Sequence, residues 1–599
     1  MRELANHPDL DHALRLHLSG EHAKAGELYQ AVLAREPRNF DALYLLGMLH
    51  GQNGQFDKAE YFTGQACLLN PNAADALFLR SYALRRLERD AEALICLDRV
   101  LALNPTMAEA LLNRAALLVS MGRNAAAAAD YERLVALNTD YPFVRGNLLF
   151  ARLQDCDWRG FNSERTEIIA GLESSKKIIT PFHAKTLSLS AEQELKCAQL
   201  FLAGDALPDP LWRGQRYSHD RIKIAYLSAD FRPHPVASQI AGVFEHHDRS
   251  RFETIAVSFG PGAESDVRRR IAGAVEHFID VHTVSDAEAA ALLKQMDVDI
   301  AVDLTGFTDG CRQGILAQRP APVQVNFLGF PGTLGSDYWD YLIADAITVP
   351  KNEHRFYAEK IVTLPDSFMP ADSTRPIATR PFTRAEEGLP EHGFIFCCFN
   401  AGYKIAPAMF DIWTRLLGGV EKSVLWLGRI NPGAHANLKR EAKARGIAPE
   451  RLIFAEYRQS VADHLGRLGL ADLFLDTVPY NAHATGCDAL WAGLPVLTCR
   501  GTGFAGRVGA SLAHALGVPE LIAESLADYE ALALKLASDE QALVALKAKI
   551  ARNRLIPPLF NTVGFTRNLE TAYEAMVQRQ RQGLPPTGFE VPSERVESP

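Results

Sequence analysis

The sequence predicts an all-helical repeat solenoid followed by two α/β units with parallel sheets, and three observations carry that prediction. Alanines, glycines and prolines recur every 34 residues through the first quarter of the chain. From about residue 215, short β-branched runs alternate with helical ones, the pattern of a parallel sheet wrapped by helices. A Pro- and Thr-rich stretch at 370–390 divides that region in two. Composition agrees: 599 residues suggest about four folding units at roughly 150 each, and 47% hydrophobic with 23% charged residues supply real cores.

Composition also excludes several functions. The 63 Lys and Arg against 72 Asp and Glu give a net charge of -9 spread along the chain, which offers no electrostatic grip on nucleic acid. The opening MRELANHPDLDHAL is polar, and no apolar run approaches the ~18 residues of a membrane span, so a soluble, cytoplasmic protein is expected. Nine cysteines form no C-x-x-C pair, and Cys397 and Cys398 fall in an apolar strand-like run. Reduced, buried thiols are expected rather than a zinc site.

In the repeats, Pro37, Pro71 and Pro105 keep one register, as do Ala25, Ala59, Ala93 and Ala127, and Ala42, Ala76 and Ala110. Gly20, Gly54 and Gly122 form a further ladder in which Glu88 fills the missing place. Small residues at a helix crossing, a glycine ending the first helix and a proline stopping the second make the tetratricopeptide pattern. Tyr29 and Tyr131 take the large-residue position of the second helix. Four repeats are expected over 1–140, with degenerate helical repeats and a linker over 141–214. The groove of such a solenoid serves either substrate docking or scaffolding, including a homodimer through the repeats.

A first α/β domain is expected over 215–372, with strands in the runs at 221–231, 252–260, 275–281, 298–306, 322–332 and 341–349. After a linker at 373–392 a second domain spans 393–580, with strands at 394–400, 423–428, 451–457, 470–478 and 495–499, and a flexible tail follows at 581–599. Neither half carries a dinucleotide or P-loop glycine motif, which removes support for redox or NTPase chemistry. Two facing Rossmann-like domains would hold a ligand at the carboxyl ends of their strands. Asp297 and Asp299 read as the start of a strand with both side chains on one face, and not as a metal site.

Three loops carry the chemistry. VPYNAHATGCDALWAG (478–493) follows a buried strand and opens an amphipathic helix, whose free N–H groups suit a diphosphate. His483, Thr485 and the Gly486 amide are candidate phosphate donors there, with Asp488 a candidate acceptor for ribose hydroxyls. The alternative is an ordinary helix capped by Thr485. FNAGYKIAP (399–407) places Lys404 at a β-α junction, where it either neutralises a leaving diphosphate or is a solvated loop lysine. SADFRPHPVAS (228–238) holds His234 between two prolines, either inert or a hydrogen-bond partner or proton shuttle. GFPGTLGSDYWDY (329–341) adds a glycine-rich loop.

Taken with the repeats, LSADFRPHP, RPAPVQVNFLGFPGTLGSDYWDY, FNAGYKIAP, SVLWLGR and NAHATGCDALWAGLPV closely resemble the O-linked N-acetylglucosamine transferases, including bacterial relatives called SPINDLY-like. The resemblance runs nearly the whole chain, to IPPLFNT (556–562). It implies a two-domain GT-B fold that transfers a sugar from a nucleotide diphosphate to a serine or threonine hydroxyl with inversion, without metal or other cofactor. It further implies UDP-N-acetylglucosamine as donor and an acceptor protein held along the repeat groove. Residue by residue, it implies Lys404 at the leaving diphosphate, His483, Thr485 and Gly486 at its phosphates and Asp488 at the ribose. Arg467 is implied against the uracil ring and His464 beside the donor. His234 matches a histidine given either a catalytic-base or a positioning role. Gly329, Pro331, Asn400 and Tyr403 fall in the matching motifs and complete the expected donor site.

The chain departs from the animal enzymes at Ala401, Val461 and Ala484, where those enzymes carry glutamine, lysine and threonine. Their asparagine ladder is represented by Leu45 and Leu79, with only Asn113 retained. Two alternatives stay open: the same fold with another donor, such as GDP-fucose, and a repeat adaptor whose catalytic halves have decayed. His483 and Tyr403 favour UDP over GDP. Intact His234, Lys404, His483 and Asp488 oppose the adaptor.

Overall fold

A computed structural model describes residues 7–137, 141–204, 208–262, 264–556 and 558–592. The expected boundary at 140/141 and the last seven residues of the expected tail, 593–599, lie at or outside those limits. The chain divides into two compact units, residues 1–152 and 153–599.

The first unit contains four antiparallel helix pairs: α1 (Pro8–Leu18) with α2 (His22–Arg35), α3 (Phe40–Gln52) with α4 (Phe56–Leu69), α5 (Ala74–Arg86) with α6 (Asp90–Leu103), and α7 (Ala108–Ser120) with α8 (Asn124–Ala136). All seven alanines of the two ladders are fully buried, and Tyr29 and Tyr131 sit in the core between the pairs. The first helix of each pair ends two residues before a left-handed residue: Gly20 (φ 83°), Gly54 (72°), Glu88 (58°) and Gly122 (69°). Glu88 therefore adopts the conformation its glycine counterparts adopt freely, at a cost of about 1 kcal/mol. Repeat geometry overrides the local preference of the residue.

The second unit begins with helices Phe161–Glu173, Pro181–Ala184 and Ala191–Leu202, in the region read as degenerate repeats. Two sheets follow, every strand pair in them parallel. The first contains β1 (Ile222–Ser228), β2 (Phe252–Ser258), β3 (His277–Asp280), β4 (Ile300–Asp303), β5 (Val323–Asn326), β6 (Tyr341–Asp345) and β7 (Lys360–Leu364). The second contains β8 (Ile395–Cys398), β9 (Val424–Leu427), β10 (Leu452–Phe454), β11 (Leu473–Leu475), β12 (Val496–Cys499) and β13 (Ile522–Ala523). Late in the chain, β14 (Phe589–Glu590) returns to pair with β7. The order β14-β7-β6-β5-β4-β1-β2-β3 in one sheet and β10-β9-β8-β11-β12-β13 in the other gives each half the doubly wound arrangement, with its own first and fourth strands adjacent.

Three expectations are corrected. Residues 581–599 are not simply a tail, because β14 adds a parallel strand to the first sheet. Helix Thr562–Arg581, assigned by sequence to the second domain, packs against helix Pro235–His246, β5 and β7 of the first half. There Glu570 accepts from the Asp248 N–H at 2.7 Å and pairs with His247 Nδ1 at 3.0 Å, all three within the first-half interface. Asp297 is not a strand residue: it occupies a left-handed turn (φ 53°), while buried Asp299 accepts the Lys223 N–H at 2.9 Å. No helix among the described residues is long and apolar enough to cross a membrane, and all nine cysteines are free.

Candidate active site

The loops singled out from the sequence lie at the carboxyl ends of the strands, at the points where strand order reverses. In a doubly wound sheet the crossovers on either side of that point run to opposite faces, which leaves a crevice for ligand. In the first half the point falls between β1 and β4, and in the second between β8 and β11. Helix Pro235–His246, after β1, contacts helix Ala484–Trp491, after β11. At the end of β6, Asp345 accepts from Ser511 of helix Val508–Ala515 at 2.7 Å, so the carboxyl edges of the halves meet directly.

His234 is the N-cap of its helix. Its Nδ1 accepts the Val236 N–H at 3.3 Å and lies 3.5 Å from Asp230 Oδ2. An amide only donates, so Nδ1 is unprotonated in this arrangement and the neutral ring carries its hydrogen on Nε2. Burial holds the ring below the ordinary histidine pKa, with Asp230 opposing that shift. Gly329 and Pro331 lie on the loop after β5. A Cβ at Gly329 would sit 2.0 Å from the Leu304 carbonyl oxygen, so glycine here lets the loops after β4 and β5 pack backbone to backbone.

In the second half, Lys404 ends a short 3₁₀ turn after β8. Its Nζ donates to the Asn481 carbonyl at 2.9 Å and stands 3.9 Å from the centroid of the Tyr480 ring. Burial pulls its pKa down to about 8, and the nearby charge of Asp476 opposes the fall. Tyr403 and Tyr480 meet edge to face, with Phe182 of helix Pro181–Ala184 against both.

Asn400 is buried between the two loops. Its amide donates to Thr477 Oγ1 at 2.7 Å and reaches Asp476 Oδ1 at 3.3 Å, while its oxygen accepts from Thr485 Oγ1 at 2.6 Å. The N-cap of helix Ala484–Trp491 is His483 and not Thr485. His483 Nε2 donates to the Ala505 carbonyl at 3.1 Å, which spends the single N–H of the neutral ring. Burial and then Lys404 hold its pKa well below the ordinary value. Gly486 N–H closes on the His483 carbonyl at 3.0 Å, so the amides without a partner among the described residues are those ahead of it, Ala484 and Thr485. In this structure the N–H groups of His483 and Gly486 are thus engaged, and the open donors are one and two residues before Gly486.

Asp488 is ion-paired through Oδ1 with Nη1 of the largely buried Arg375, leaving Oδ2 without a partner among the described residues. Arg467 is turned inward in this structure. It is 3% exposed, donates to Glu387 at 3.2 Å and to the Glu456 carbonyl at 2.7 Å, and lies over Phe399 and Trp426. It is an internal brace rather than an open stacking surface. His464 Nδ1 is 3.2 Å from Arg467 Nη2 and its ring meets Phe399 edge to face.

A cavity of about 630 Å³ lies elsewhere, at the amino ends of β4, β5 and β6. Its acids Asp299 and Asp340 already have partners, the latter Arg319 at 2.9 Å, and that edge is not where parallel sheets bind ligand. Among the described residues no group of three or more His, Cys, Asp or Glu could hold a metal ion.

The model of glycosyl transferase family 41 matches residues 209–378 and 373–569, which takes in both halves and every loop above. The chain belongs to glycosyl transferase family 41. Tetratricopeptide models match 28–61 and 108–141. Among curated relatives, the probable UDP-N-acetylglucosamine–peptide N-acetylglucosaminyltransferase SEC of Arabidopsis thaliana is 36% identical over 386 residues, 63% of this chain and 39% of that one. The correspondingly named SPINDLY protein of Solanum lycopersicum is 30% identical over 387 residues, 63% of this chain and 41% of that one. The chain spans only 39% to 48% of the length of the curated relatives it matches. A solved structure of a Thermobaculum terrenum O-GlcNAc transferase mutant aligns with a TM-score of 0.59 at 26% identity, covering 96% of this chain and 98% of that one.

For this family 41 chain, sequence reading did not find Asp476, Tyr480, Arg375 or the Ala505 carbonyl. Only Asp476 left a signal: it is the first polar residue after the apolar strand LFL.

Proposed function

We propose that this protein transfers N-acetylglucosamine from UDP-N-acetylglucosamine to serine or threonine hydroxyls of acceptor proteins, with inversion and without metal, in the cytoplasm. The observation that carries the reading is the Lys404 ammonium, set beside the start of helix Ala484–Trp491 with two open amides. A cation and a helix N-terminus side by side favour a bound anion such as a diphosphate. Family membership and the names of the relatives support the choice of this sugar and of a protein acceptor.

In the proposed reaction the acceptor oxygen attacks the anomeric carbon as the bond from that carbon to the β-phosphate oxygen breaks on the opposite face, and the hydroxyl proton passes to solvent water. Negative charge grows on the departing UDP. Lys404 and the Ala484 and Thr485 amides stabilise that charge, more in the transition state than in the bound donor. Asp488 Oδ2 accepts from a ribose hydroxyl while Arg375 fixes Oδ1. His483 donates to phosphate only if protonated, because its neutral N–H is committed to Ala505. A bound diphosphate favours that protonation. His234, with Nδ1 capping its helix, orients the acceptor through Nε2–H rather than removing its proton. The repeats select the acceptor protein.

A thermal-shift panel of nucleotides tests the donor. UDP at 100 to 1,000 times its dissociation constant adds roughly 3–4 kcal/mol to the folded state, and transfer survives excess EDTA. Preference for GDP over UDP would replace the donor assignment, and loss of transfer in EDTA restored by Mn²⁺ would replace the metal-free one.

A further inference from the structure

The second half contains a fully buried carboxylate that none of the expected roles uses. Asp476 follows β11 at the switch point, and its side chain joins three separate pieces of the site. Oδ1 accepts from the Thr477 N–H at 2.7 Å, the Ala482 N–H at 2.6 Å and Asn400 Nδ2 at 3.3 Å, while Oδ2 accepts from Thr498 Oγ1 at 2.7 Å. Its main-chain carbonyl accepts from Tyr529 at 3.0 Å. Gly509, in the first turn of helix Val508–Ala515, has to lack a side chain, because a Cβ there would lie 2.5 Å from Oδ2. The acid thus ties down both ends of the 477–482 segment, the same segment whose Asn481 carbonyl holds Lys404.

We infer that Asp476 is a positioning residue for the proposed transfer, whose negative charge keeps the Lys404 ammonium protonated and whose hydrogen bonds hold Asn400 and the 477–482 segment around the diphosphate. The inference rests on the donor reading above for its function, but the coupling of Asp476 to Lys404 can be measured without it. Lys404 stands in an apolar and aromatic setting that disfavours its charge. Among the groups facing it, Asp476 favours the cation, Cys398 is kept a neutral thiol by burial, Tyr480 presents its ring, and His483 is disfavoured as a cation by burial and then by Lys404 and Lys185. Asp476 is itself pushed up to about 6 by burial and is mostly ionised at neutral pH.

Asp476→Asn separates charge from shape. The amide oxygen can keep the three donors now on Oδ1, and the Thr498 hydroxyl can turn to accept from the new NH₂ group. The basic limb of kcat/KM against pH reports groups of the free enzyme. With the wild-type limb near pH 8, Asp476→Asn moves it down on the order of one pH unit, as loss of an opposite charge does, with roughly fivefold loss at pH 8 that approaches about tenfold at higher pH. Asp476→Ser, smaller and equally uncharged, is read in the same way if asparagine is not accommodated. In parallel, labelling of Lys404 in the full chain by an amine-reactive reagent at graded pH, read by mass spectrometry, gives its titration midpoint directly, and that midpoint falls in the variant. A variant that is slow but keeps both limb and midpoint would show Asp476 to be only a scaffold and overturn the inference. If the wild type ignores UDP, the donor reading fails while the labelling midpoint still decides the coupling.

Discussion

Lys404→Met separates catalysis from stability in an unusual direction. A lysine whose pKa falls from 10.5 to about 8 carries its charge in the fold at a cost of about 3 kcal/mol. The side chain is partly open to solvent, which screens that cost to about 1–2 kcal/mol. Methionine has similar length, adapts to irregular packing and carries no charge, so the variant is expected to be at least as stable as the wild type near pH 7. At about 2 cal/mol/K per residue, a unit of roughly 450 residues loses about 0.9 kcal/mol/K on melting, and the gain is about 1–2 °C. The folded pKa lies below the unfolded one, so between pH 8 and 10.5 the unfolded chain binds more protons, and wild-type stability rises with pH across that window. The advantage of the variant therefore shrinks from pH 7 toward pH 10.5. Turnover falls by about 10² to 10³ if the ammonium meets the departing phosphate. Scanning fluorimetry of both proteins near pH 7 and near pH 10, with transfer assayed near pH 7, checks all three statements. A variant that melts several degrees lower, or keeps the same gap at both pH values, would refute the stability argument; turnover within a few-fold of wild type would refute the catalytic one.

Asp488→Asn leaves the largely buried Arg375 without its carboxylate and is expected to destabilise the catalytic unit by about 2–3 kcal/mol; UDP binding weakens too, and adding Arg375→Met recovers stability in urea melts but not UDP affinity. His234→Asn keeps a side-chain acceptor for the Val236 N–H, so its melting temperature stays near wild type. Its turnover falls by about tenfold if the histidine orients the acceptor, whereas a loss of 10³ or more with a matching acidic limb in the pH profile would make it the base. Gly329→Ala forces a methyl group against the Leu304 carbonyl, and a loss of about 3 kcal/mol or more, seen as poor soluble yield and a lower melting temperature, is expected; wild-type stability would mean that the loops after β4 and β5 can move apart.

Sequence by itself determined what depends on near neighbours. The 34-residue ladders place eight helices, because a helix crossing needs small residues at fixed spacing, and eleven of the fourteen strands announce themselves as β-branched or apolar runs. The three missed strands are each marginal in isolation: β13 and β14 have two residues apiece and β7 lies in EKIVTLP, between polar flanks. Even the loops that carry His234, Lys404 and His483 were legible, since a parallel sheet presents its strand-to-helix turns at one edge. Tertiary structure alone decided how those residues are used. Glu88 gave no sign of a left-handed backbone, because its neighbours impose it. The partner of Asp488 is 113 residues away, the Ala505 carbonyl that takes the N–H of His483 is 22 residues away, and Arg467 is drawn inward by Glu387, 80 residues earlier. Each of these side chains has several satisfactory hydrogen-bond partners in principle, and a single sequence contains no term that ranks them. Burial at the switch point does, because an unpaired charge or N–H there costs more than the backbone rearrangement that satisfies it.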